Sequence, residues 1–376
     1  STGNAFISSN VEAYAPGSPI FALSSDDNLS GSSAADTFVF AQPIGNNVIH
    51  GFNTAADTID LIGFTGVYKF TDLTIANDGN GNAVVSISSG QTITVLGVDA
   101  AALTTGNFEF DVEPVTVNTG TITIADGAIM PFGGSIENSG TIVLGSTGRE
   151  TDLEILFRGV TLSGSGHIIL SDSDGNMIFG GSADTLLTNA DNTISGAGQL
   201  GAGQMTLVNA GTIIADGSHA LVIDTGSNVI MNSGTLESTD SGGLLINSDI
   251  FNTDGLLWAN GGNIILNGYI DGGNAQIDGV ATIEFDGTVG ISSTDVTLSA
   301  TAIGTLRIAD SDLFTGSVAG LNANDILDFG DIDSSSIQNP VHTYTFRPSL
   351  YPQLIMTDIH GCTDSVSSNG FPMLVA

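Results

Sequence analysis

The chain is predicted to be all-β: a parallel β-helix (β-solenoid) of ~20-residue coils, preceded by a β-meander or β-roll-like module. Three observations predict it. An apolar strand that runs into Asn, a small residue and Gly before a second apolar strand leaves is seen at Asn209-Ala210-Gly211, at Asn232-Ser233-Gly234 and at Asn252-Thr253-Asp254-Gly255. The Asn recurs after 23 and then 20 residues, and Asn118-Thr119-Gly120 and Asn138-Ser139-Gly140 repeat the unit upstream, again 20 apart. Between these corners Val, Ile and Leu alternate with Thr, Ser and Asn, the two-residue period of a strand with one buried face. The 50 glycines then read as corners rather than as disorder, because mean hydropathy is positive and the apolar runs are regular. Gly and Asn tolerate positive φ, so both are expected to adopt it at the corners. Two or three short strands per coil, stacked ~4.8 Å apart, bind each coil only to its neighbours and leave the ends in need of caps.

Three regions follow along the chain: residues 1–113 as an N-terminal β-rich, calcium-binding-like module, 114–333 as the solenoid, and 334–376 as an atypical tail. Residues 1–35 are rich in Ser, Asn and Pro and read as an extended lead-in. Asp78-Gly79-Asn80-Gly81-Asn82 lies between two β-patterned runs and predicts a hairpin, which the strand around Ile93 extends into a meander. Asp111-Val112-Glu113-Pro114 reads as the linker into about ten coils, a rod about 45–50 Å long. After Ile337 the composition changes: the tail concentrates Pro, Tyr and the single cysteine, Cys362, and is expected to lie outside the repeat, the chain being a fragment of something longer.

Charge narrows the partners. Forty acidic residues face five basic ones, for a formal charge of −35. Nucleic acid requires the opposite sign and is excluded as a partner. No apolar run is long enough to insert into a membrane, and no N-terminal signal peptide is visible. Two carboxylates on neighbouring coils would repel by about 3.5 kcal/mol at an effective dielectric near 20. Hard cations between them would relieve this, and calcium, which takes oxygen ligands from Asp, Asn and carbonyls, is the expected cofactor. A solvated acidic surface is the simpler alternative.

Residues 30–110 resemble the calcium-binding β-roll region of type I-secreted, haemolysin-type (RTX-associated) bacterial surface proteins. The resemblance rests on Gly31-Ser32-Ser33-Ala34-Ala35-Asp36-Thr37-Phe38, followed by Gly51-Phe52-Asn53 and Asp57-Thr58-Ile59-Asp60-Leu61. It implies an extracellular or cell-surface location and makes Asp36, Asp57 and Asp60 calcium ligands. Ser32 and Ser33 replace glycines of the family's calcium repeat, and only one such unit is present, which weakens the case for a ladder of ions. Capping of a turn and of a strand end is the alternative role for Asp57 and Asp60.

Asp325-Ile326-Leu327-Asp328-Phe329 echoes the Asp57–Leu61 motif, placing Asp325 and Asp328 in the same class and suggesting a coil-closing turn at each end of the solenoid. Asp172, Asp174 and Asn176 have the alternate spacing of a calcium loop, without the Gly and closing Glu of an EF-hand. No Gly-x-Ser-x-Gly, His-Glu-x-x-His, P-loop or dinucleotide fingerprint is present. The enzymatic alternative is therefore calcium-assisted hydrolysis of a small neutral lactone or ester, such as an N-acyl-homoserine lactone. Glu150, Asp152 and His167 are its candidate catalytic groups, since Glu150 and Asp152 share one face of a predicted strand. An exposed charged face is the simpler expectation for that pair. The favoured function is a structural or adhesive calcium-binding module whose further partner is a neutral small molecule or a cell-surface glycan.

Overall fold

The computed structural model describes residues 20–22, 26–41, 44–111, 117–287, 293–310 and 313–330, together with strand backbones at Gln353–Thr357 and Thr363–Ser367. It is all-β, with parallel sheets stacked as a β-solenoid of about 13 turns and coils of about 22 residues. The coil is thus slightly longer than the shortest Asn spacing, because the corners differ in length. The expected linker after Asp111 lies outside the described residues, as does the part of the 1–35 lead-in before Ile20; the rest of that segment is not an extended lead-in, because Ile20–Phe21 and Asn28–Ser30 are each paired as strands. The atypical tail does too, apart from the backbone of an antiparallel pair between Gln353–Thr357 and Thr363–Ser367.

The chain divides into two compact units, the first comprising Ser1–Gly166, Gly175–Thr188 and Gly201–Thr206. Its N-terminal part is a small roll. Strands Ile20–Phe21, Thr37–Ala41, Thr58–Ile62 and Phe108–Asp111 form one parallel sheet, and Asn28–Ser30, Asn46–His50 and Gln91–Val95 run parallel in the other. Alternation sends Phe38, Phe40, Ile59 and Leu61 between the sheets, where they meet Ile49, Val85 and Ile93. Burying side chains of this size stabilises by about 1.5–3 kcal/mol each. The predicted hairpin joins Thr74–Asn77 to Ala83–Ser88. Asp78 closes it by accepting the Asn80 and Asn82 amides at 2.7 and 2.9 Å, while Gly81 takes a φ of 84°. The antiparallel meander extends only from Thr74 to Val95, and parallel coiling builds the rest of the roll.

The same unit continues into coils in which Ile129–Asn138 pairs with Thr151–Ser163, whose first residues pair with Asn176–Gly180. Thr151 to Leu156 are buried on both faces of the strand. Leu153 and Ile155 point one way. Leu156 points the other, against Phe21, Val39 and Ile62 of the roll and Met177 and Phe179 of the next strand. Phe21 and Phe179 meet edge to face at 4.7 Å.

The second unit comprises His167–Asp174, Asn189–Leu200 and Leu207–Ala376. Its coils have two or three strands each among the described residues, and equivalent residues stack in columns. One column runs Ile168, Ile194, Ile213, Leu236, Leu257, Ala275, Val296 and Val318. Another runs Leu221, Leu244, Ile264, Ile283, Leu306 and Leu327. A third strand contributes Ile230, Ile250 and Ile270.

The repeated Asn does not serve as a positive-φ corner. Each of Asn189, Asn209 and Asn232 donates from Nδ2 to Oδ1 of the Asn in the next coil, reaching Asn252 over 2.9, 2.8 and 2.7 Å. All four are buried, and their amides also reach carbonyls of their own turns, such as Asn192 and Gly211. Asn118 and Asn138 make the same bond at 2.8 Å in the first unit. Nor do the glycines after them need positive φ. An added Cβ at Gly234 would sit 2.0 Å from the Gly211 carbonyl oxygen, and one at Gly140 would sit 2.1 Å from that of Gly120. Close stacking of coil on coil selects Gly there.

Candidate functional site

Several of the acidic residues singled out by spacing accept backbone amides of a neighbouring turn or of their own. Asp57 is buried and accepts the Asp36 amide at 3.0 Å and the Asn53 amide at 2.7 Å. Asp325 repeats the arrangement, accepting the Gly304 and Asn322 amides at 2.8 Å each. In both, one amide comes from 21 residues upstream and the other from the same turn, the coil-closing role suggested by the echo between the two motifs. Asp36 accepts the Ser32 amide and hydroxyl at 2.5 and 2.9 Å. Asp60 is buried on the strand Thr58–Ile62, paired in register with Val39 and Glu109. Asp328 lies beside Arg307, 3.6 Å from its Nε, and the same guanidinium contacts Glu284. Asp36, Asp57 and Asp325 are thus stabilised by amides and Asp328 by one Arg, which relieves the repulsion expected of stacked acids, whereas Oδ1 of Asp60 is buried without a hydrogen-bond partner. Among the described residues no three acidic, His or Cys side chains converge as a ready metal site.

The oxygen-bearing side chains of Asp172, Asp174 and Asn176 have separate partners. Asn176 is fully buried in the first unit, its Oδ1 accepting the Ser146 amide at 3.2 Å. Asp172 and Asp174 instead bracket His219 of the second unit. Asp172 Oδ1 lies 3.0 Å from Nδ1, and Asp174 Oδ1 lies 3.6 Å from Nε2. Asp172 also accepts the Ser218 hydroxyl at 2.6 Å and the His219 amide at 2.8 Å. The Ser218 hydroxyl foremost, then the His219 amide and ring, hold the Asp172 carboxyl well below the usual carboxylate range. The Asp172 hydrogen bond, reinforced by the Asp174 charge, raises the His219 pKa. Sequence spacing missed His219 because it lies 47 residues from Asp172.

The sign of the linkage follows. With its folded pKa raised, His219 contributes stability below its unfolded value near 6.5 and loses it as pH rises through the folded value. The contribution is small because the ring is exposed and screened. Asp172→Asn is expected to bring the His219 titration midpoint down toward 6.5, followed by NMR of the imidazole protons. An unchanged midpoint would remove the hydrogen bond as its cause.

Of the three candidate catalytic groups, Glu150 and Asp152 come together and a further acid, Glu154, joins them. Asp152 and Glu154 lie in the strand Thr151–Ser163 and Glu150 immediately precedes it, the three alternating along the face that also carries Leu156. His167 begins the strand His167–Leu170 with its side chain exposed. The acidic face is not the solvated one that its composition suggested. Asp152 has 0 % exposure, Glu154 has 2 %, and Glu150 is half-buried at the end of the row. The reason is packing: Phe21, Val39 and Ile62 cover this face of the strand, and no local pattern announces them.

Both carboxylate oxygens of Asp152 and Oε1 of Glu150 are buried without a hydrogen-bond partner. Burial pushes the Glu150 carboxyl up to about 8. Burial first, then the charges of Glu150 and Glu154, push Asp152 well above the carboxylate range. In both, burial without a counter-charge favours the protonated form. Asp152 has no exposed surface in this arrangement, and His167 lies on a different strand from the acidic row.

Among the described residues no helix is long and apolar enough to cross a membrane. The chain matches no protein-family model, no curated protein and no solved structure, and its β-solenoid fold is therefore read from its own strands and their register.

Proposed function

We propose that the chain is a structural, adhesive module of a bacterial exported surface protein, a β-solenoid that binds calcium outside the cell and offers its sides to a cell-surface glycan. One observation carries this reading: the Asn ladder pairs buried amides from coil to coil, while the net charge of −35 must be accommodated by the rest of the molecule. A stack held together internally needs no compact globular core, and its length scales with the number of coils. A polyanionic wall favours a divalent counter-ion and disfavours nucleic acid or an anionic membrane. Capping of turns by Asp57 and Asp325 limits how many acids remain for ions, so calcium on this reading engages a subset of them.

The test is thermal unfolding of the whole chain in millimolar calcium, in chelator, and in sodium chloride of matched ionic strength. Calcium is expected to raise the melting temperature by several degrees beyond the matched salt. A ligand that binds only the folded state stabilises it by about 2.7 kcal/mol at one hundred times its Kd. Equal melting in all three solutions would remove calcium from the function.

A further inference from the structure

We infer that Glu150 and Asp152 are the anionic ligands of a specific divalent-cation site, calcium by preference, that clamps the N-terminal roll onto the outer face of the strand Thr151–Ser163. The proposal deepens the calcium reading above and rests on it.

The observation that points to a ligand is Asp152. It is fully buried with both carboxylate oxygens unpartnered, beside Glu150, whose Oε1 is also buried and unpartnered. Buried polar atoms in folded proteins nearly always have a partner, and an exception marks a proton, a water or an ion. Removing an ionised carboxylate from water costs several kcal/mol unless an opposite charge accompanies it. The Asp172 and Asp328 side chains have a basic neighbour in His219 and Arg307, whereas Glu150 and Asp152 form no ion pair among the described residues.

The position suits a clamp. Phe21, Val39 and Ile62 from the roll and Leu156, Met177 and Phe179 from the coils form one apolar cluster on this side of the strand. The packing is close: a Cβ added at Gly63, next to Ile62, would meet Leu156 Cδ1 at 2.8 Å. On the roll side, Asp60 alternates with Ile59 and Leu61 of the roll core and so shares the outward face of Ile62. Glu154 adds a negative charge from behind Asp152. An ion here would supply the opposite charge that the buried carboxylates otherwise lack.

Access is from the exposed turn at 147–149, where half-buried Glu150 stands ahead of fully buried Asp152. Because no three acidic side chains already converge on one point, two carboxylates supply the charge, and peptide carbonyls and water complete the shell. Calcium accepts such mixed oxygen ligands in flexible geometry, whereas magnesium demands a near-ideal octahedron. With no His or Cys in the row, a soft metal is disfavoured.

Calorimetric titration of the full chain with calcium chloride separates the possibilities, using wild type, Asp152→Asn and Glu150→Gln. Wild type is expected to show one class of tight binding above a background of weak surface binding. Both variants should lose the tight class, with affinity falling at least about tenfold. Both should also lose most of the calcium-induced rise in melting temperature. Glu150→Gln, at the half-buried end of the row, keeps the test informative if Asp152→Asn folds poorly, which circular dichroism would reveal. A tight class that survives in both variants would overturn the site and leave the general calcium reading intact. So would weak binding without any tight class in wild type. No binding to wild type would overturn both.

Discussion

Asn209→Leu is expected to destabilise the second unit by about 3–5 kcal/mol, because it strands two buried groups at once. The substitution removes the acceptor of Asn189 Nδ2 and the donor to Asn232 Oδ1. Each buried group left without a partner loses its desolvation compensation, about 1–3 kcal/mol apiece, and the new methyl groups gain little where the corner is already filled. The internal control is Asn267→Ala. Asn267 makes the same type of bond to Asn247 at 2.8 Å, but on the exposed surface, so its removal should change stability by less than about 0.5 kcal/mol. Chemical denaturation of both variants measures the contrast. Equal midpoints would mean that the ladder follows from stacking and does not support it. Hydrogen exchange would add the location, since a one-dimensional stack weakens first at the altered coil and its neighbours.

Gly234→Ala is the second large effect, expected to exceed about 3 kcal/mol, the upper end of ordinary overpacking. The clash is with backbone: the new Cβ would stand 2.0 Å from the Gly211 carbonyl oxygen and 2.7 Å from the Ala210 carbonyl carbon. No rotamer change relieves it, so two coils must separate locally, and the hydrogen bond from the Gly234 amide to the Asn209 carbonyl at 3.1 Å is strained with them. Gly79→Ala provides the comparison. Nothing lies within 4 Å of its Cβ position, and stability should stay within about 0.5 kcal/mol of wild type. A Gly234→Ala protein melting with wild type would show that the coils can part at little expense.

These two expectations also explain how a chain with 40 acidic and 5 basic residues stacks its coils. Repulsion between equivalent carboxylates is avoided where the acid accepts backbone amides from the adjacent turn. Asp126 does so with Thr147, Asp249 with Tyr269, and Asp295 with Ser317, at 2.8, 2.8 and 2.9 Å. Such acids are already satisfied and have less to gain from an ion. Asp152 differs in having both carboxylate oxygens buried without such a donor, with Oε1 of Glu150 buried and unpartnered beside it.

What the sequence by itself determined is the periodic part of the molecule. A solenoid packs residue n against its equivalent one coil away, so Ile213, Leu236 and Leu257 must all be apolar, and Asn209, Asn232 and Asn252 must all be able to donate and accept. The same constraint written at each coil becomes a visible repeat. The hairpin at Asp78–Asn82 was legible for a related reason: its turn is closed by its own residues. What the Asn residues and the corner glycines do was left to the stack, because side-chain ladders and carbonyl clashes exist only between coils. The burial of Glu150, Asp152 and Glu154 was likewise decided by tertiary structure alone. Phe21, Val39 and Ile62, which cover that face, come from far upstream, and a strand does not record in its own residues what will pack against it.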